Sequence, residues 1–205
     1  AFDHYANLGY NVFQVPNAID TLSLETNVDK RYSKQIIFAG RLSHEKGIDS
    51  LISISQKLTD DTHLIILGAG PEEEKINDLV KNHKNIHFFG YKNKNQTISL
   101  IRGSDILIHP SLHEGISSTI LEGMACKTAI IASDVGGNKE LIENNVNGIT
   151  IKPHNIDSFV EQIINLFDNE KLRQLLINNA LKTVEKYNWN KIGNLYLDVY
   201  RSVLD

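Results

Sequence analysis

Two carboxylates flank a run of hydroxyl side chains in the middle of the chain. Residues 106–108 form a short apolar run typical of a strand buried on both faces, and a proline two residues later ends it. Glu114 lies in the following loop, and Glu122 lies about one turn into the predicted helix. The hydroxyl residues at the helix start are Ser117, Ser118 and Thr119. Because free amides at a helix start attract anions, we expect a phosphorylated ligand here, with the two carboxylates on different parts of it.

Arg41 and Lys46 supply positive charge in a second loop, far from the first in sequence. This loop, residues 40–47, follows an apolar run at 35–39. An arginine fork and a lysine ammonium together can neutralise a diphosphate. Taken singly, Glu122 is explained as a solvated carboxylate on a helix and Glu114 as a residue that merely lies near the positive end of a helix. Either cation alone is explained as part of a solvated loop that caps the first helix. Their combination favours one ligand site.

Apolar runs alternate with helical patterns along most of the chain. Runs at 35–39, 63–67, 86–89, 105–108, 128–132 and 148–151 predict six buried strands with helices between them. The alternation predicts an α/β fold with a doubly wound, six-stranded parallel sheet of the Rossmann type. We expect strand order 3-2-1-4-5-6, with C-terminal helices from residue 155 onward. The first and fourth strands are then neighbours, so the Arg41 and Glu114 loops converge at the carboxyl edge of the sheet. Residues 12–15 predict a further strand ahead of a turn at 16–20.

Three further turns reach the same predicted edge. Residues 68–71 form a turn after the second strand that lacks the third glycine of a dinucleotide fingerprint. Tyr91 and Lys92 follow the third strand, where a base could lie, although a half-buried packing role explains Tyr91 better. Gly136 and Gly137 follow the fifth strand and allow backbone to approach a ligand closely, with a simple turn and helix cap as the alternative.

Missing motifs exclude several familiar chemistries. The chain has no G-x-x-x-x-G-K-[ST] phosphate loop, and residues 115–119 lack the last glycine of the G-x-S-x-G hydrolase motif. His109 and His113 are four residues apart, but the proline between them removes the helical geometry of a metal pair. No D-x-D occurs, so we expect neither a metal nor another cofactor. Fixed cations and the helix dipole then neutralise the diphosphate.

The composition has no strong charge bias. Among 205 residues, 21 are basic and 25 acidic, and the net charge of −4 argues against a nucleic-acid partner. Cys126 is the single cysteine and lies in an apolar helical pattern, so we expect a buried thiol in a reducing compartment. No apolar run reaches the roughly 18 residues of a membrane span, and no signal-peptide pattern begins the chain, so we expect a cytoplasmic protein. The first residues do not look like a natural start, so we also expect a longer protein.

Six motifs follow one another in an order that resembles one enzyme family. They are residues 38–42 (FAGRL) with 45–47 (EKG), 68–71 (GAGP), 89–91 (FGY), 110–111 (PS) with 114–115 (EG), 121–125 (LEGMA), and 136–137 (GG) with 140–142 (ELI). The set resembles the retaining glycosyltransferases of family 4 over nearly the whole chain. It matches the C-terminal, donor-binding half of their two-domain GT-B fold, and the spacing of Glu114 and Glu122 matches that family's paired-glutamate motif.

The resemblance implies roles toward a nucleotide-diphosphate-sugar donor. Arg41 and Lys46 hold the diphosphate and stabilise the leaving group, with backbone amides at Ser118 and Thr119. Glu114 holds the sugar hydroxyls, without being assigned as a covalent nucleophile, in a reaction that retains anomeric configuration. The family makes surface polysaccharides, lipid-linked glycans or glycolipids, so the implied acceptor is a glycan or a lipid-linked glycan.

The nucleoside end of the donor has its own implied contacts. Glu122 accepts hydrogen bonds from the ribose hydroxyls, and Lys92 and Thr97 match the region that meets the base. The other implied donor-binding positions are Gly40, Tyr91, Gly115, Ile116 and Ser117, of which the last three act through backbone amides beside the sugar.

Relative to the GT-B fold, the chain lacks the N-terminal, acceptor-binding domain. We therefore expect residues 1–33 to be a connecting segment from the missing domain, 34–186 to be the nucleotide-sugar-binding domain, and 187–205 to be a helix that packs toward the missing domain. We therefore expect a hexosyltransferase-type enzyme whose activity is weak or absent in this isolated domain. We also expect that the full-length protein could associate peripherally with a membrane. The alternatives are a non-catalytic nucleotide-sugar-binding subunit and a GT-B-type sugar-nucleotide epimerase domain.

Overall fold

The computed structural model of the protein describes residues 7–10, 12–21, 24 and 26–204. In this part of the chain, six strands form one parallel sheet in the order β3-β2-β1-β4-β5-β6. The strands are β1 Lys34–Ala39, β2 Thr62–Leu67, β3 Ile86–Phe88, β4 Ile106–His109, β5 Ala129–Ser133 and β6 Ile149–Ile151. The predicted α/β fold and strand order are confirmed, and every strand end lies within one residue of its predicted position.

Helices connect the strands and complete the C-terminal part. They are α1 Ile48–Ser55, α2 Glu73–Lys81, α3 Lys94–Arg102, α4 Ser118–Ala125, α5 Asn138–Leu141, α6 Ile156–Asp168, α7 Glu170–Val184 and α8 Trp189–Leu204. Short 3-10 turns lie at His44–Lys46 and Glu185–Tyr187. The helical region predicted from residue 155 onward is therefore present.

Each face of the sheet carries its own apolar core. Side chains alternate along a strand, so Ile36 and Phe38 of β1 face one side while Ile37 and Ala39 face the other, and all four are buried. Helices α1, α2 and α6 pack on the first side, α3 and α4 on the second, and α7 contributes to both. Full burial of one large aliphatic side chain is worth about 2 kcal/mol. The two layers therefore fix the strands and the loops at their carboxyl ends.

The segment ahead of β1 packs on the domain without forming a strand. Residues 12–18 have no regular secondary structure, so the strand predicted at 12–15 is wrong. A strand needs a partner edge, and this segment instead crosses the loops, where the Gln14 amide donates to Glu140 Oε2 at 2.9 Å. Ile19 is buried, and its amide donates to the Tyr187 carbonyl at 2.8 Å. The segment thus joins the region where α8 begins.

Helix α8 has little contact with the rest of the domain. Ile192 is its one buried side chain among the described residues. The large exposed apolar side chains of α8 are Trp189, Leu195, Tyr196, Leu197, Tyr200, Val203 and Leu204. None of the helices in the described part of the chain has the length and hydropathy that a bilayer crossing requires.

Candidate functional site

The loops after β1 and β4 touch at the carboxyl edge of the sheet, as predicted. The Leu112 amide donates to the Glu45 carbonyl at 2.8 Å. Gly47 has a φ angle of 71°, and a Cβ at this position would overlap the carbonyl oxygen of Pro110. Glycine is required here because both the left-handed backbone and the close approach exclude a side chain.

Glu114 lies at the centre of a charged cluster formed by these two loops. Its Oε2 accepts a hydrogen bond from Lys46 Nζ at 2.6 Å and lies within hydrogen-bond distance, 3.0 Å, of His109 Nε2. The side chains of Glu114 and Lys46 are 10% and 26% exposed, and that of His109 is 1% exposed. The ion pair is therefore partly withdrawn from water, where charges interact more strongly than on an open surface.

The environment of Glu114 keeps its carboxyl ionised. Burial by itself raises the pKa of Glu114, but the hydrogen bonds and charges of His109 and Lys46 outweigh it and lower the pKa from 4.5 to about 2. At neutral pH this carboxylate can therefore only accept hydrogen bonds. Its other oxygen, Oε1, has no hydrogen-bond partner among the described residues and remains available to a ligand hydroxyl.

Helix α4 begins beside this cluster. Ser117 is its N-cap, with Oγ accepting from the Ile120 amide at 3.4 Å. Ser118 and Thr119 are the first residues of α4, so their amides have no acceptor within the helix. These two amides and the helix dipole can bind an anion, as the sequence predicts for this position.

Two other segments of the chain, at Gly136–Gly137 and at Asn17, hold the backbone of the Glu114 loop. The Gly137 amide donates to the Glu114 carbonyl at 3.1 Å, and a Cβ on either Gly136 or Gly137 would overlap the backbone of this loop. These glycines accommodate the chain's own backbone instead of a ligand. Asn17 Nδ2 donates to the Ile116 carbonyl at 2.7 Å. The loop is thus anchored on both sides.

A cavity of about 320 Å³ opens over the carboxyl ends of β1 and β2. It is lined by Ala39, Gly40, Arg41, Leu67, Gly68, Ala69, Tyr91, Lys92 and Thr97. Five predicted site residues are therefore brought together here, namely Gly40, Arg41, Tyr91, Lys92 and Thr97. Tyr91 is 77% exposed, so the interpretation of Tyr91 as a half-buried packing residue is wrong. Its turn projects from the sheet because Gly90, with a φ angle of 66°, redirects the chain after β3.

Arg41 lines this cavity and, within the part of the chain that the structure describes, forms no hydrogen bond or ion pair with the Glu114 cluster. Its side chain is exposed, and no hydrogen bond or ion pair to it occurs within the described residues. The charge of Arg41 is therefore not balanced by a nearby carboxylate, in contrast to that of Lys46. An unbalanced guanidinium on a cavity wall attracts anionic ligands.

Glu122 is held by a lysine that sequence reasoning missed. Its Oε1 accepts from Lys94 Nζ at 3.0 Å, and the two side chains are 16% and 59% exposed. The interpretation of Glu122 as a plain solvated carboxylate is therefore wrong, since a specific contact joins α4 to α3. Lys94 lies in a polar stretch with no local feature that distinguishes it, so only the fold identifies it.

His109 is the second residue that sequence reasoning did not place in the site. It ends β4 and is buried, whereas His113 is exposed, so the two do not form a pair. Within the described ranges there is no cluster of three or more His, Cys, Asp or Glu residues suited to a metal ion. The position of His109 in the sequence could have identified it, because the last residue of a buried strand lies next to the loop that follows the strand.

Cys126 is a buried free thiol, as predicted. It is buried at the end of α4, and burial raises the pKa of its thiol to about 12. A thiol with this pKa is not ionised at neutral pH and is a poor nucleophile.

A larger groove, of about 720 Å³, contains none of the predicted site residues. It is lined by Thr26, Asn27, Asn95, Gln96, Ser99 and Arg102. The guanidinium of Arg102 donates to the Thr26 carbonyl at 2.5 Å, so its charge holds the segment ahead of β1. Size alone therefore does not locate the functional site.

The six-stranded parallel sheet with its flanking and C-terminal helices is the Rossmann-like α/β fold that GT-B glycosyltransferase structures share. A family model described as glycosyl transferases group 1 matches residues 25–183, well over half of the chain. The chain belongs to the glycosyl transferases group 1 family.

Two relatives illustrate the extent of the similarity. An uncharacterised glycosyltransferase of Methanocaldococcus jannaschii is 34% identical over 179 residues, which are 84% of this chain and 46% of the relative. The N,N'-diacetylbacillosaminyl-diphospho-undecaprenol alpha-1,3-N-acetylgalactosaminyltransferase of Campylobacter jejuni is 30% identical, over 87% of this chain and 46% of the relative. The chain spans about half the length of the curated relatives it matches.

Among solved structures, a mutant of S. aureus TarM in complex with fondaparinux, alpha-GlcNAc-glycerol and UDP superposes with a TM-score of 0.79. The superposition covers 96% of this chain and 41% of TarM at 24% identity. At this identity the likeness shows the shared fold alone.

Proposed function

We propose that the chain is the donor-binding part of a retaining glycosyltransferase of the hexosyltransferase type. In this proposal the whole protein moves a sugar from a nucleotide-diphosphate sugar to a glycan or lipid-linked acceptor. The observation that carries it is the arrangement of three features at one edge of the sheet: the Glu114–Lys46 pair, the start of α4 and the cavity that Arg41 lines.

The diphosphate is the part of the donor that this edge suits best. Lys46 directs one of its three N–H donors to Glu114, which leaves two for phosphate oxygens. Arg41 adds a forked donor, and the amides of Ser118 and Thr119 add the positive end of α4. As the glycosidic bond breaks, negative charge grows on the diphosphate, and groups already in place stabilise it without reorganising. No metal ion is assigned a part.

The sugar and the nucleoside lie on either side of the diphosphate in this arrangement. Oε1 of Glu114 accepts from the sugar hydroxyls while Lys46 and His109 contact its Oε2, and Glu114 is not assigned as a covalent nucleophile. Glu122 accepts from the ribose hydroxyls, which share this carboxylate with Lys94. The base enters the cavity beside Tyr91, whose exposed ring offers a stacking surface.

The comparisons support the substrate classes. One relative is named for a lipid-linked diphospho-undecaprenol acceptor, and the similar TarM structure contains UDP. We infer a comparable donor and a glycan or lipid-linked acceptor for this chain, as used in polysaccharide synthesis. We place the protein in the cytoplasm, peripherally associated with a membrane when the acceptor is lipid-linked, with the acceptor site in an N-terminal domain outside this sequence.

Calorimetric titration of the chain with UDP, GDP and ADP tests the proposal. We expect one of the three to bind, and Glu122→Ala and Arg41→Ala each to weaken its binding by about tenfold, since each removes a charged hydrogen-bonding partner. Glu161→Ala and Arg201→Ala are matched controls, because both residues are exposed and lie on other helices. Failure of all three nucleotides to bind, or equal losses in the controls, would contradict the donor site.

A further inference from the structure

His109 is a buried ionisable group to which the proposed chemistry gives no direct part. Its Nε2 lies 3.0 Å from Glu114 Oε2 and 3.3 Å from Ser117 Oγ. Its Nδ1 is buried and has no hydrogen-bond partner within the described part of the chain. A buried ring nitrogen without a partner costs free energy, which an apolar side chain at this position would avoid. The imidazole therefore needs an explanation beyond packing.

We propose that His109 is a positioning residue that holds Glu114 through an Nε2–H donor and leaves Oε1 of the carboxylate for the sugar of the donor. This inference rests on the proposed donor-binding function. The ionised Glu114 only accepts hydrogen bonds, so the ring proton must reside on Nε2. The same nitrogen adjoins the N-cap hydroxyl of Ser117, so one imidazole aligns the sugar-side carboxylate with the start of the anion-binding helix.

The rigidity of β4 makes this role physically reasonable. His109 is the last residue of a central strand and is 1% exposed, whereas Glu114 lies in a loop. A contact from a fixed strand to a loop carboxylate limits the rotamers that the carboxylate samples. Lys46 does not replace this contact, because a partly exposed lysine has a long, flexible stem and sets distance more than orientation.

Three variants separate positioning from packing. His109→Gln keeps an N–H donor near the position of Nε2, His109→Phe fills the space without a donor, and His113→Phe makes the same change at an exposed neighbour. The ring nitrogens of His109 and the side-chain carboxyl of Glu114 are followed by NMR. Binding of UDP, GDP, UDP-glucose and GDP-mannose is followed by calorimetry.

In the wild-type chain we expect a protonated Nε2 and a Glu114 carboxyl that titrates near pH 2. In His109→Phe the titration midpoint of Glu114 rises by about one pH unit, because one charge-assisted hydrogen bond is lost. The affinity of His109→Phe for the nucleotide sugar, UDP-glucose or GDP-mannose, falls about tenfold, while its affinity for the corresponding free nucleotide, UDP or GDP, changes by less than about twofold. His109→Gln restores both values, and His113→Phe changes neither.

Different outcomes overturn different proposals. The positioning role is overturned if NMR finds no proton on His109 Nε2 in the wild-type chain, a result that does not depend on the folding of any variant. It is also overturned if the titration of Glu114 is unchanged in His109→Phe. A His109→Phe variant that loses as much affinity for the free nucleotide as for the nucleotide sugar overturns it as well. If the wild-type chain binds neither a nucleotide nor a nucleotide sugar, the proposed donor-binding function is wrong. If the titration of Glu114 nevertheless shifts in His109→Phe, the contact between His109 and Glu114 is still confirmed.

Discussion

Charge at Glu114 contributes to the stability of the fold as well as to its proposed chemistry. The pKa of Glu114 is about 2 in the folded chain, against 4.5 for the unperturbed group. A carboxyl with a lower pKa in the folded state stabilises the fold above the unfolded pKa, and this stabilisation is lost as the pH falls toward the folded pKa. The relevant window therefore runs from about pH 4.5 down to about pH 2.

Glu114→Gln keeps the shape of the side chain and removes its charge. We expect it to lower the free energy of unfolding by on the order of 1 to 3 kcal/mol at neutral pH, with the difference from wild type disappearing across the window below pH 4.5. Urea unfolding of both proteins at a series of pH values measures this. Glu161→Gln, at an exposed position on α6, is the control. A loss that stays constant with pH would instead assign the effect to packing.

Ser117 caps helix α4, whose first two amides are proposed to bind the diphosphate. Ser117→Ala removes the hydroxyl that accepts from the Ile120 amide, and such a loss typically costs about 1 kcal/mol of stability. We expect this variant also to weaken diphosphate binding by several-fold, roughly 3- to 10-fold, because fraying of the first turn displaces the amides of Ser118 and Thr119.

A second cap, on a helix remote from the site, provides the comparison. Asn169 caps α7, where its side chain accepts from the Leu172 amide at 3.0 Å. Asn169→Ala should lose a similar amount of stability in thermal unfolding, about 1 kcal/mol, and bind the diphosphate as the wild type does. If both variants bind equally well, the start of α4 is not part of the anion site.

The strands and helices could be predicted from the sequence because the apolar patterns that indicate them involve only neighbouring residues. Strand positions follow from apolar runs, and burial on both faces makes these runs continuous. The strand predicted at 12–15 failed because pairing requires an edge that no local pattern reports. The contacts of Glu122 with Lys94 and of Glu114 with His109 could not be predicted from the sequence either. Each joins side chains from different elements, and loop conformation decides which of many charged residues meet.

The molecule as a whole presents an open site and an uncovered apolar helix. Arg41 and Tyr91 are exposed on the cavity wall, so water reaches the groups proposed to contact the donor. Helix α8 exposes Trp189 and Tyr200 among other large apolar side chains, a pattern that marks surfaces covered by a partner. The chain spans about half the length of its curated relatives. All three observations fit a domain that works against a second one.

We therefore expect the isolated chain to bind the donor without transferring its sugar at an appreciable rate. Electrostatic stabilisation of a leaving group is strong only where water is excluded, and here the Arg41 side chain is exposed to solvent. The measurement pairs calorimetric binding of UDP-glucose and GDP-mannose with release of the free diphosphate, in the presence of glycan and lipid-linked acceptors. Binding with negligible release supports division of the site between two domains. Steady turnover by the chain alone would mean that the sheet edge described here already contains a complete active site, and that the exposed face of α8 serves another purpose.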